Sequence, residues 1–142
     1  MANPEKLAGN ARGGHYFAVA VDSTRVSVTL NARSRFLRQY FLYVRRGAQR
    51  VAVTSDAPGV RPLAFRHPDG RRAVVAKTER PATLALLGLP AGRCGFRWTT
   101  DRSEGMGTPV DLAVGDTLRA SIPGRGVLTV FTSPPADSTP VR

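Results

Sequence analysis

Ten carboxylates are all that this 142-residue chain offers for acid–base chemistry. Three are glutamates, Glu5, Glu79 and Glu104, and of the seven aspartates Asp22, Asp56, Asp69, Asp101 and Asp116 stand among Gly, Pro and Ser. Aspartates in that setting bond their own backbone and shape turns. His15 and His67 border strand-like runs, and only Asp69 lies at a ligand-like spacing from either, so no metal site is assigned. Cys94 sits between Arg93 and Gly95, where a guanidinium would lower a thiol pKa, but a nucleophilic thiol also needs a positioned histidine. A lone cysteine also excludes an internal disulfide framework. Gly105-Met106-Gly107 leads into a strand pattern and not a helix, so it is no phosphate loop. No catalytic residue and no cofactor is assigned.

The charge is the next candidate. Of 21 basic residues 19 are arginines, and the net charge is +11. No acid occurs between Asp22 and Asp56, while Arg25, Arg33, Arg35, Arg38, Arg45, Arg46 and Arg50 all fall there. Such a stripe can neutralise phosphates or polysaccharide carboxylates, with binding that weakens steeply in salt. No helix-turn-helix, zinc-finger or aromatic RNA-binding motif accompanies it, so contact with nucleic acid is expected only as non-specific attraction. Arginine replaces lysine along the whole chain, as a GC-rich coding bias would produce. For carbohydrate, the chemistry required is an exposed aromatic face flanked by hydrogen-bonding side chains. Trp98, Tyr16, Tyr40 and Tyr43 are the candidates, although Trp98 alternates with Arg97 and Thr99 as a core residue of a strand does.

The elements that must position these residues are mostly strands. Residues 1–14 read as a flexible lead-in, 15–132 as one β-sandwich domain, and 133–142, with three prolines, as a flexible tail. Residues 16–21 and 25–30 look like a hairpin. Residues 34–45 gather Phe36, Leu37, Tyr40, Phe41, Tyr43 and Val44 on one arc, which predicts a single short amphipathic helix with Ser34 as N-cap and Gly47 as its stop. Leu42 falls among Arg35, Arg38 and Gln39 on the opposite side, as if a second surface had to be met. Beyond Gly47, alternating runs separated by turn residues predict the remaining strands, the clearest turn being Pro68-Asp69-Gly70. The expected fold is all-β, a two-sheet antiparallel sandwich of seven to nine strands with one helix near the N-terminus. No stretch is long enough to span a bilayer, and residues 1–10 lack the apolar run of a secretory leader.

The order of these pieces resembles family 30 glycoside hydrolases. Phe36 to Val51 is similar to the segment in which the family's last barrel helix hands over to its accessory sandwich. Leu63 to Gly70 followed by Ala73 to Ala76 resembles its "A-F-x-N-P-D-G-x-x-V-V-V" hairpin, Trp98 to Glu104 its "Y-x-T-S-x-x-E-N" turn, and Asp116 to Thr129 its closing strands. Arg38-Gln39-Tyr40 replaces the family's Gly-His-Phe, Arg46 its Pro, and His67 its Asn. The resemblance implies a non-catalytic accessory sandwich that supports a (β/α)8 glycosidase barrel or binds glycan, with an extracellular setting by analogy. It also implies that the family's two catalytic glutamates, which lie on that barrel, have no counterpart in these residues. The alternative, drawn from charge, is a basic module that binds polyanions through the arginine stripe.

Overall fold

The structure, a computed structural model, describes residues 19–22, 24, 27–30 and 32–133. Strands β1 (Val19–Asp22) and β2 (Ser27–Leu30) form an antiparallel pair, and helix α1 follows over Ala32–Tyr43. Then come β3 (Gln49–Val51), β4 (Val60–Arg66), β5 (Arg72–Thr78), β6 (Ala82–Leu86), β7 (Gly92–Thr100), β8 (Glu104–Met106), β9 (Val110–Leu112), β10 (Leu118–Ile122) and β11 (Gly126–Thr132). The large sheet runs β3-β4-β5-β11-β7-β8, with β9 also on β7, and β6 pairs with β10 in a second antiparallel sheet.

The register explains the layers. Partners across an antiparallel pair point to the same side, and residues two apart share a face. One side of the large sheet therefore carries Leu128 and Val130 of β11, Cys94, Phe96 and Trp98 of β7, and Val74 and Ala76 of β5. Strand β10 alternates buried and exposed along its length, so Leu118, Ala120 and Ile122 face this side with Leu84 and Leu86 of β6. These residues form the apolar core. The other side carries Val127, Thr129, Phe131, Arg97, Thr99, Val75 and Lys77, and α1 lies across it on β11, β7 and β5. The all-β sandwich is as expected, but eleven strands rather than seven to nine occur among the described residues, with β1–β2 as a separate ladder.

Two expectations need correction. The helix starts and ends two residues earlier than 34–45, so Ser34 lies inside it and is not its N-cap. Arg45 still closes its end, donating to the Phe41 carbonyl at 3.2 Å, and Gly47 turns the chain at φ +85°. The short strand β8 is also additional. The glycines in and just after it show why it lies where it does: a Cβ on Gly105 would stand 2.5 Å from the Trp98 ring, and one on Gly107 2.1 Å from Phe96. Glycine here marks the close approach of a ring to a neighbouring strand. Phe131 lies over Gly95 in the same way.

The Pro68-Asp69-Gly70 turn joins β4 to β5 as predicted. Gly70 N donates to the His67 carbonyl at 3.0 Å, Gly70 adopts φ +84°, and Asp69 accepts from the backbone and guanidinium of Arg71. Burial, the largest single influence, pushes the Asp69 carboxyl up, but the hydrogen bonds and charge of Arg71, with a smaller contribution from His67, together hold it below its ordinary pKa.

Gly126 opens β11, and a Cβ there would sit 2.0 Å from the backbone oxygen of Thr99. Gly126→Ala is expected to cost about 1–3 kcal/mol and lower the melting temperature by several degrees, because the strand pairing itself must yield. Gly124→Ala, whose Cβ would meet Thr100 at an ordinary 3.6 Å, should leave the melting temperature near the parent value. Equal melting temperatures for the two variants would contradict this packing.

Candidate functional site

The seat of α1 on the sheet is more polar than a helix seat usually is. Gln39, 2% exposed, points at the sheet and donates from Nε2 to Thr99 Oγ1 at 2.8 Å. Arg35 donates to the Asp101 carbonyl, and Arg38 and Arg97 both reach Glu104 Oε1 at 3.5 Å. Tyr43 stacks on Phe131 with ring centroids 4.4 Å apart, and His67 Nε2 donates to the Tyr43 carbonyl at 2.9 Å. His67 thereby ties the β4–β5 turn to the end of the helix. The helix thus faces inward along a stripe centred on Gln39, so that of the arc expected from periodicity Phe36, Tyr40, Tyr43 and Val44 are half-buried while Leu37 and Phe41 are not. Leu37 (44% exposed), Phe41 (69%) and Leu42 (43%) stand outside. The reason lies partly in the sheet: its helix side offers the Thr99 hydroxyl, which Gln39 satisfies, and Glu104, which Arg38 reaches together with Arg97.

Along the Phe36 flank of α1, a cleft of about 580 Å³ opens between the helix and the β5–β11 end of the sheet. Phe36, Tyr40 and Val127 line its floor, with Arg33, Lys77 and Arg125 among its other lining residues. Burial raises the Tyr40 phenol above its ordinary pKa. On the opposite side of the large sheet, Trp98 borders a shallower cleft of about 500 Å³ with Thr83, Ser121 and Pro123. The Thr83 and Ser121 hydroxyls are 2.9 Å apart and bonded to each other.

The aromatic candidates are therefore dispersed. Trp98 is half-buried against the core with Gly105 against its ring, Tyr43 is committed to Phe131, Tyr40 lines the helix cleft, and Tyr16 lies outside the described residues. No two of the described three share one sugar platform. The arginine stripe is divided as well: Arg35, Arg38 and Arg45 bond within the fold, Arg33, Arg46 and Arg50 face solvent, and Arg25 lies outside the described residues. Sequence order concealed the cluster of Arg33 with Lys77 and Arg125, which come from three separate elements. Among the described residues no group of three His, Cys, Asp or Glu side chains is placed to hold a metal ion.

Against this geometry the solved structures are informative. The chain is similar to the catalytic domain of GH30 xylanase C from Talaromyces cellulolyticus, with a TM-score of 0.64 and 20% identity over 82% of this chain and 27% of that one. It is similar to a GH30 endoxylanase from Clostridium papyrosolvens, with a TM-score of 0.62 and 18% identity over 80% of this chain and 30% of that one. The fold is shared with GH30 xylanases. The chain spans less than a third of the length of either. No family model matches the sequence.

Cys94 is 1% exposed, and burial, with a smaller push from Asp111, raises its thiol pKa, so its thiolate is scarcer than that of a free cysteine. The native protein should resist Ellman's reagent at mildly alkaline pH and react fully once unfolded; rapid reaction of the native thiol would contradict the burial. Thr129 Oγ1 is buried with no hydrogen-bond partner among the described residues. Thr129→Val is accordingly expected to stabilise the fold by about 1 kcal/mol in urea unfolding, and a loss of stability would mean that the hydroxyl is satisfied.

Proposed function

We propose that the chain is the non-catalytic β-sandwich of a glycoside hydrolase related to family 30, and that α1 holds it against a (β/α)8 glycosidase barrel. The observation that carries this reading is the outward apolar side of α1. A helix that buries Gln39 and leaves Phe41 69% exposed has its apolar residues where a second surface would meet them. The shared fold supports it, because the matched segment is under a third of each xylanase and leaves the larger part of those chains unmatched. In this reading the barrel supplies the acid/base and nucleophilic glutamates, and the sandwich supplies a rigid support for the barrel's last helix.

A second reading has one observation in its favour. Arg33, Lys77 and Arg125 lie together with no ion pair among the described residues, and Arg46 and Arg50 are exposed nearby in sequence, which suits attraction to polyanions. Two measurements separate the readings. The chain alone should show no turnover of xylan or aryl xylosides, and turnover above buffer would overturn the non-catalytic reading. In affinity electrophoresis, retention by heparin at low salt that vanishes by moderate salt, with no retention by neutral glycan, would favour the polyanion reading. Salt-independent retention by neutral xylan, abolished by Trp98→Ala, would instead assign the sandwich to glycan contact.

A further inference from the structure

The helix cleft has chemistry that barrel support does not require. Its floor is apolar, and three cations reach it from separate parts of the chain: Arg33 from α1, Lys77 from β5 and Arg125 from the β10–β11 turn. No acidic side chain lines it, and none of the three cations forms an ion pair among the described residues. Three like charges around one opening repel each other, and an anion placed between them relieves that cost. The volume of about 580 Å³ lies in the range of small-molecule sites.

We propose that this cleft binds a flat aromatic carboxylate of one or two rings, its ring on Phe36, Tyr40 and Val127 and its carboxylate among Arg33, Lys77 and Arg125. The lining selects the ring over a sugar. A saccharide presents hydroxyls around its edge and needs amide or carboxylate partners, but no Asn, Asp, Gln or Glu lines the cleft. The Tyr40 hydroxyl, among the lining side chains, adds one neutral donor. Guanidinium groups beside an aromatic floor also suit an aromatic ligand through cation–π contact. The inference is independent of the barrel, since it uses the Phe36 flank of α1 and not its Phe41 side.

The test is a two-dimensional amide NMR titration of the full 142-residue chain with 2-naphthoate, 2-naphthalenemethanol and glucuronate. Naphthoate should give saturable shifts centred on Phe36, Tyr40, Lys77 and Val127. The neutral alcohol should bind at least about tenfold more weakly, the loss expected when charge-assisted bonds are removed. The double variant Lys77→Gln/Arg125→Gln, altering two exposed side chains, should weaken naphthoate by a similar factor while its spectrum elsewhere is unchanged. Equal affinity for the alcohol, shifts centred elsewhere, or no saturable shift up to the solubility limit would overturn the proposal. Glucuronate binding as tightly as naphthoate with the same shift map would overturn the choice of an aromatic ligand. The comparison of naphthoate with the alcohol on the parent chain decides the matter even if the variant fails to fold.

Discussion

Strand β11 is the element on which the other layers depend, because it is hydrogen-bonded to β5 on one side and β7 on the other, and is covered on both faces. Leu128 and Val130 face the apolar core under β6 and β10, while Val127, Thr129 and Phe131 face α1. A strand in that position tolerates little side-chain volume at its start, which is why Gly126 sits against the Thr99 carbonyl. It also fixes which way β7 and β5 present their own residues. The placement of Trp98 in the core, and of Lys77 on the helix side, both follow from this single register.

The two faces of the sheet do different work. The core face is closed by leucines, an isoleucine and alanines, and it contributes through the area it removes from water. The helix face is closed by a glutamine, a threonine, a stacked ring pair and a shared glutamate, which contribute direction more than burial. Exposed ion pairs such as those on Glu104 add little stability in water, so the Gln39–Thr99 bond and the Tyr43–Phe131 stack do most to orient α1. A helix oriented by its polar side has its apolar side free for docking. That division of labour links the fold to the proposed role.

Much of the architecture was legible in the sequence because alternation and turn chemistry are local. Leu118 to Ile122 alternates as a half-buried strand must, and Pro68-Asp69-Gly70 forms the turn that its residue types dictate. What escaped was decided by distant partners. The face of α1 could not be read from its own periodicity, since the β7 hydroxyl that Gln39 meets lies 60 positions downstream. Strand β8 was hidden by Gly105 and Gly107, whose need arises from the rings of Trp98 and Phe96. Glycines two apart after an aromatic strand were the available signal. The basic cleft was hidden more thoroughly, because Arg33, Lys77 and Arg125 have no shared motif.

The central claim is that the outward side of α1 is a docking surface for a glycosidase barrel. Sedimentation velocity on the chain mixed with the barrel portion of a GH30 xylanase, prepared without the segment this chain matches, tests it most directly. The account predicts a one-to-one complex with the parent chain and separate boundaries with a Leu37→Asp/Phe41→Asp variant whose melting temperature is unchanged. Independent sedimentation of barrel and parent chain, or a complex indifferent to those two substitutions, would contradict it.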